Sequence, residues 1–419
     1  MKRREASATI TRNNMKNKNI RVPYLLTVYG KEEIKAVNEV LKDPTKIASG
    51  PRVREFEQKI SKMFGKKFGV MVNSGSSANL LAVDVLELPK GSEVITPILT
   101  FATTVAPLVQ RGLVPAFADV EEGTYQININ QMDALLSKKT KALMIPSLMG
   151  NMADFSKLRS FSNKHKLRFI EDSCDVLGAK FAGRPTGSYS DISTTSFYAA
   201  HVITTAGAGG MVAFHDGKLA KRALIKANWG RESTLFGFYE KSEELKKRFS
   251  GTLGAMAYDA KFVFSELGYN FQSTEINAAF GLEQLKRFPE FVARRKHNAS
   301  ALLEFFKKYE EFFILPKQHP KAETFWHAFP LTIRSGAPFT RLEITKYLEE
   351  RNIQTRPIFT GNILRQPGFR HIKAKVLKKG YPVADHIMRN GFLIGCNHGL
   401  GKEHIKHLTD TFTEFLRNI

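Results

Sequence analysis

The chain has 419 residues, 42% of them hydrophobic and 25% charged, a composition that excludes collagen-like, low-complexity and disulfide-scaffold classes. Its length exceeds what one hydrophobic core usually fills, so a large domain and a smaller one are expected. The net charge of +23 suits nucleic acid, an anionic membrane or an anionic small substrate, and two cysteines exclude both a disulfide framework and a four-thiolate metal site.

Residues 1–21 read as a basic, flexible tail. Lys2, Arg3 and Arg4 are followed by Ser, Thr and Asn with no apolar core, so a signal peptide is not expected and a cytoplasmic location is. Beyond the tail the basic residues are scattered, without a zinc finger, an RNA-recognition sequence or a basic aromatic stripe, and no nucleic-acid partner is expected. No apolar stretch is long enough to cross a bilayer, and no membrane association is expected.

In chain order, Ile34, Val37 and Leu41 recur at helical spacing, as do Phe56, Ile60 and Met63 before Gly65, predicting two amphipathic helices. Short apolar runs at Phe68–Val72, Val94–Pro97, Pro115–Val120, Ala142–Pro146 and Leu167–Asp172 predict strands. Helical patterns such as Ala78–Leu86 and Phe155–Lys166 lie between several of them. Strands alternating with helices imply right-handed crossovers, a mainly parallel sheet and an α/β fold over residues 22–287. From about Phe288 a charged helix (Val292–Tyr309) and short mixed segments predict a smaller α+β domain over residues 288–419. Ligands of such sheets bind beyond the carboxyl ends of the strands, which is where Asn73–Ser77 and Asp172 fall.

Four segments carry candidate chemistry. Asn73-Ser74-Gly75-Ser76-Ser77-Ala78 follows a strand and opens a helix, so N–H groups and hydroxyls would face an anion such as a phosphate; the same residues would equally serve as a helix cap. Phe169-Ile170-Glu171-Asp172 ends a strand in a carboxylate that could keep a pyridine nitrogen protonated, or be a surface acid. Ser196-Phe197-Tyr198-Ala199-Ala200-His201 runs on to Gly207-Ala208-Gly209-Gly210, with His201 either chemical or structural. Gly268-Tyr269-Asn270 and Thr274–Leu285 form a turn leading into a helix.

These segments, in this order, resemble the DegT/DnrJ/StrS family of fold-type-I vitamin-B6 sugar enzymes. The resemblance runs from about Val22 to the C-terminus and includes Val22-Pro23-Tyr24, Gly50-Pro51 before Phe56-Glu57, Thr96-Pro97 before Thr100-Phe101, and Asp119-Val120. It implies that Ser76, Ser77 and Ser196 hold the phosphate of pyridoxal or pyridoxamine 5'-phosphate, that Phe101 stacks on its ring, and that Asp172 faces the pyridine nitrogen. It also implies that Asn270 reaches the phosphate of a neighbouring subunit in a homodimer.

Where the family has its Schiff-base lysine, five residues after the phosphate serine, this chain has His201. Imidazole cannot form a stable imine with the cofactor but can still move protons. The same replacement marks the family's nucleotide-sugar 3-dehydratases, which the chain resembles further in Thr355-Arg356 and Gly361–Pro367. Arg231, Arg356 and Asn362 are thereby candidate substrate contacts. Some members of that subgroup carry an iron–sulfur cluster, but here Gly230-Arg231-Glu232 leads into Ser233, Thr234 and Leu235. Cys174, also a candidate cofactor contact, alone occupies a cluster-like position, so no cluster and no metal is expected.

The chain departs from the subgroup at Val202, where a second histidine is usual, and at Thr205–Ala208. The resemblance implies removal of the C3 hydroxyl from a nucleotide-diphosphate 4-keto-6-deoxy sugar, with glutamate restoring the amine form of the cofactor, in the setting of bacterial lipopolysaccharide and O-antigen synthesis. A dehydrase needing an external reductase, an aminotransferase with a displaced lysine and a non-catalytic nucleotide-sugar-binding protein are the alternatives.

Overall fold

In a computed structural model the chain is described over residues 20–237 and 244–419; the tail expected over residues 1–21 lies outside that range except for its last two positions. The centre of the fold is a seven-stranded sheet formed by β1 (Phe68–Val72), β2 (Glu93–Pro97), β3 (Val114–Ala118), β4 (Thr140–Pro146), β5 (Arg168–Asp172), β6 (Ile192–Ser196) and β7 (Gly210–Phe214). The spatial order is β1-β7-β6-β5-β4-β2-β3. Strand β7 alone runs antiparallel to its neighbours, while β2–β3, β2–β4, β4–β5 and β5–β6 pair in parallel.

Successive strand residues feed opposite layers, as a pleat requires. Val94, Ala142, Met144 and Ile170 pack on one face with Leu81, Ala82 and Ala223; Ile95, Leu143, Ile145 and Phe169 pack on the other with Phe155, Leu158 and Phe181. The first face is covered by α3 (Gly75–Asp84) and α6 (Gly217–Ala227), and the second includes α5 (Phe155–Lys164). Helix α4 (Ala102–Gln110) joins β2 to β3. The five strands expected from apolar runs are present within a residue or two of their expected ends. The two that were not expected, β6 and β7, complete the sheet beside the site.

Helices α1 (Lys31–Leu41) and α2 (Pro51–Met63) form where the spacing predicts them. In α1, however, the inward face is not the apolar one: Ile34 and Leu41 are about half exposed whereas Glu33 is fully buried. Glu33 is accommodated because Gly30 N–H donates to its Oε2 at 2.7 Å and Gln284 Nε2 donates to its Oε1 at 2.6 Å.

The expected boundary at residues 287 and 288 falls inside one helix, α7 (Glu275–Phe306), which continues across Pro289. That helix joins the sheet to the smaller domain, whose own sheet has the order β8-β9-β11-β10, with β8 (Phe313–Ile314), β9 (Phe329–Ile333), β10 (Arg356–Pro357) and β11 (Gly391–Ile394). Helices α8 (Arg341–Glu349), α9 (Pro382–Asn390) and α10 (Lys402–Arg417) cover it. Val22, expected to open the large domain, exchanges backbone hydrogen bonds with Asn352 and Gln354 and is buried in a core built from residues of both domains. Paired in this way, its backbone polar groups are satisfied without an additional strand.

Beneath the first helical layer, the carboxylate of Asp84 is buried between Arg111 Nη2 at 2.7 Å and Lys226 Nζ at 3.2 Å, tying α3 to the residues that follow α4 and to α6. Lys226 is itself buried and Arg111 is half exposed. Asp84→Ala leaves Lys226 short of one counter-charge and is expected to lower unfolding stability by about 3 kcal/mol. Arg111→Ala is expected to cost less, about 1 kcal/mol, because Lys226 still faces Asp84 and water can enter where the half-exposed arginine stood. Urea unfolding of the two variants checks this, and an equal loss from both would refute the buried role of Asp84.

Candidate active site

The carboxyl ends of β1, β5 and β6 converge on the start of α3. Ser74 caps this helix, accepting from Ser77 N–H at 3.0 Å. Ser77 Oγ donates to Asn73 Oδ1 at 2.7 Å, and Ser76 Oγ donates to Thr103 Oγ1 at 2.8 Å. Gly75 is required here: a Cβ at that position would lie 2.6 Å from Ser196 Cβ and 3.0 Å from Cys174 Sγ. The segments expected to meet around a phosphate therefore do meet, presenting hydroxyls and the unpaired first-turn N–H groups of a helix.

Asp172 closes β5 and is almost fully buried. Its Oδ2 accepts from Asn79 Nδ2 and from Thr104 Oγ1, each at 2.8 Å, and its Oδ1 accepts from Cys174 N–H at 3.3 Å. Asn79 is fixed in turn by Thr194 Oγ1, which donates to Asn79 Oδ1 at 2.6 Å. One carboxylate oxygen is thus saturated by side chains while the other meets only a long backbone contact, an arrangement suited to a cationic partner such as a pyridinium N–H. Phe101, at the N-cap of α4, leaves half of its ring surface exposed and lies edge-on to Phe359. Serine hydroxyls, a helix start, a buried acid and an available aromatic face together fit a phosphorylated pyridine cofactor.

His201 lies in the turn after β6, with its backbone N–H donating to Tyr198 carbonyl at 2.9 Å. Its Nδ1 is 3.6 Å from Asp175 Oδ1, and His327 Nε2 is 3.9 Å from the same oxygen. The two imidazole centroids are 5.0 Å apart. Asp175 Oδ2 is held by Met149 N–H at 2.8 Å. Arg295, fully buried on α7, donates to the His327 carbonyl at 2.8 Å and to His398 Nδ1 at 3.1 Å.

Burial, reinforced by the Arg295 guanidinium, pushes His201 down to about 3, so its ring is neutral and able to accept a proton at physiological pH. Burial, with the nearby Asp172 carboxylate, pushes Asp175 up to about 7. Burial and the same Asp172 charge hold the Cys174 thiol well above its usual range, which opposes a ligating or nucleophilic thiolate.

The remaining expected residues are placed less uniformly. Asn270 lies beside its own chain's Asn73, whose Nδ2 donates to the Asn270 carbonyl at 3.4 Å. Arg356 is half exposed, 5.8 Å from the centroid of the Tyr24 ring, with its Nη1 donating to Thr355 carbonyl. Arg231 is enclosed by aromatic rings, with its guanidinium 4.6 Å from the Trp229 ring centroid and 5.3 and 5.4 Å from those of Phe262 and Phe264. It lines a hollow of about 980 Å³ that also includes Glu57, Lys218 and Gln272.

Asn362 is engaged within the chain. Its Oδ1 accepts from Leu364 N–H and its Nδ2 donates to Asp385 Oδ1 at 2.8 Å, so within the chain it caps a turn, and both ends of its amide are already engaged. The sequence reading missed Asn79, Thr104, Asp175, Arg295 and His327. Asp175 stood one residue beyond Cys174 and could have been found there. Arg295 and His327 lie 94 and 126 residues after His201, and nothing local marks them.

The protein-family model for the DegT/DnrJ/EryC1/StrS aminotransferase family matches residues 28–413. The chain is 38% identical to the lipopolysaccharide biosynthesis protein RfbH of Salmonella typhimurium, an alignment covering 94% of this chain and 91% of the relative. It is 35% identical to the dTDP-4-dehydro-2,6-dideoxy-D-glucose 3-dehydratase of Saccharopolyspora spinosa, covering 88% and 81%. The structure superposes with a TM-score of 0.83 at 27% identity on a GDP-4-keto-6-deoxymannose-3-dehydratase holding a trapped PLP-glutamate geminal diamine, over 93% of this chain and 99% of that one. With a family match spanning nearly the whole chain, and a fold that brings the expected segments together, the chain belongs to the DegT/DnrJ/EryC1/StrS aminotransferase family.

Proposed function

We propose that the protein is a pyridoxal/pyridoxamine 5'-phosphate-dependent lyase that removes the C3 hydroxyl from a nucleotide-diphosphate 4-keto-6-deoxy sugar, using L-glutamate to restore the amine form of its cofactor. The observation that carries this reading is His201, a largely enclosed neutral imidazole standing five residues after Ser196 in the turn that follows β6. A lysine at that position would hold the cofactor covalently and favour amino transfer. Imidazole leaves it unattached but keeps a proton acceptor in place. The names of the aligned 3-dehydratases and the glutamate adduct of the superposed structure support the same reading.

The cofactor, when bound, supplies an amine that joins the sugar ketone and a ring that accepts the electrons of the broken C–H bond. Ser76, Ser77, Ser196 and the start of α3 would hold its phosphate, Phe101 would cover its ring and Asp172 would keep its ring nitrogen protonated. His201 takes up the proton. Because a dry environment beside Arg295 disfavours its cationic form, the protonated ring is a strong acid and readily passes the proton to the departing C3 hydroxyl. The excess of Lys and Arg over Asp and Glu favours approach of the sugar diphosphate and of glutamate.

A homodimer belongs to the same proposal, with Asn270 placed near the phosphate of its neighbour. Ile34, Phe249, Phe262 and Leu267 are exposed apolar side chains that a partner subunit could cover.

Three outcomes are expected. First, incubation with GDP-, CDP- and dTDP-linked 4-keto-6-deoxy sugars releases ammonia stoichiometrically with one of them; if the amino group is instead retained on the sugar, the chain is an aminotransferase. Second, Asp172→Asn slows turnover by about 3 kcal/mol of barrier, because a neutral amide cannot hold the ring nitrogen as a cation. Near-normal rates in the cofactor-saturated variant would remove Asp172 from this role. Third, His201→Lys turns yellow with pyridoxal phosphate and is labelled at residue 201 by borohydride, because burial lowers the lysine's proton affinity. A folded variant without that label would show that residue 201 is not beside the cofactor.

A further inference from the structure

We propose that Asp175, His201 and His327 form an exchangeable site for a divalent transition-metal ion of the zinc class, and that an ion seated there blocks His201. Ligand atoms of all three residues lie within 4.8 Å of one another, the one such group of His, Cys, Asp or Glu among the described residues. The separations of Asp175 Oδ1 from His201 Nδ1 and His327 Nε2, 3.6 and 3.9 Å, are too long for hydrogen bonds. They are close to the roughly 3.4 Å between neighbouring ligands around a tetrahedral ion with metal–ligand bonds of about 2.1 Å. A contraction of a few tenths of an ångström would bring each imidazole to ligand spacing from Asp175 Oδ1, with the two imidazoles already within 4.8 Å of each other.

Two further observations point to a ligand. His201 Nδ1 is buried with no hydrogen-bond partner in the protein, and the His327 ring, 95% buried, faces the same carboxylate oxygen. The frame around them is rigid. Asp175 Oδ2 is tied to Met149 N–H, leaving Oδ1 for the imidazoles. His327 N–H donates to the Met149 carbonyl at 2.8 Å. Between these anchors Gly150 has φ +86°, and a Cβ on it would lie 1.9 Å from the Phe325 carbonyl oxygen, so the two segments of the frame are in direct backbone contact.

Two imidazoles and one carboxylate suit Zn²⁺, Co²⁺ or Ni²⁺ better than Mg²⁺ or Ca²⁺, which prefer oxygen ligands. Arg295, bonded to the His327 carbonyl, opposes a dication, which makes the ion exchangeable rather than resident. Coordination through Nδ1 uses that nitrogen's lone pair and leaves the ring proton on Nε2, so a metal-bound His201 can no longer accept a proton. Ion binding stands on geometry alone; the block rests on the proposed role of His201.

The test titrates cofactor-loaded, full-length protein, and the same protein stripped of cofactor, with Co²⁺ and Zn²⁺. Expected are a tetrahedral Co²⁺ absorption band, its loss on adding one equivalent of Zn²⁺, and at least tenfold weaker binding in His327→Gln and Asp175→Asn. Melting curves establish that both variants fold. Absence of a stoichiometric site in both forms of the protein, or binding unchanged in both folded variants, overturns the site. Zinc bound at this site with undiminished ammonia release overturns the block, and directs the doubt to His201 as the proton acceptor rather than to the ligands.

Discussion

The arrangement depends on a steric constraint at Gly75. There is no room for a side chain where α3 begins, because Ser196 and Cys174 approach from the ends of the neighbouring strands to within about one carbon atom of the space a Cβ would take. Gly210 meets the same turn from the other side, where a Cβ would lie 2.3 Å from the Ser74 carbonyl carbon and oxygen. Those contacts set a helix start, a strand end and a serine hydroxyl at one point, which is the geometry needed to surround an anion with donors that cannot drift. Parallel strands bring their carboxyl ends to one edge; the missing side chains let the loops close upon it.

Behind this cradle the site is dry, and its polar groups are constrained by fixed partners. Asn79 illustrates the coupling: it accepts from Thr194 on β6 and donates to Asp172 on β5. An amide turned by its neighbour therefore decides which carboxylate oxygen remains available. The same dryness governs proton affinities. It raises Asp175, lowers His201 and raises Cys174, so the local resting state has a neutral imidazole and a neutral thiol without any metal or covalent modification. A histidine so placed is a poor store for a proton and a good conduit for one.

Much of this was legible in the sequence because the parallel strands are buried on both faces and read as apolar runs. The exceptions have physical causes. Strand β6 is Ile-Ser-Thr-Thr-Ser and is buried throughout, its hydroxyls satisfied by groups such as Asn79, Ser190 and the Ser173 carbonyl; burial by hydrogen bonding leaves no hydrophobic signature. Helix α1 was legible as a helix but not in its orientation, since the burial of Glu33 depends on Gln284, about 250 residues away. The site segments were legible through resemblance and local turn chemistry, whereas Arg295 and His327 reach the site only through the packing of α7 and the strand region before β9.

Those two residues show how the domains share one chemistry. Arg295 stands on the helix that passes from the sheet into the smaller domain, and its guanidinium bonds to the His327 carbonyl and to His398, both contributed by segments after that helix. Burial keeps His201 neutral, and the Arg295 charge that reinforces it is positioned by the smaller domain's packing, although His201 itself belongs to the sheet. Gly150 packs its backbone against Phe325 with no space to spare, so the segment before β9 that carries His327 is held against the loop after β4 at that point.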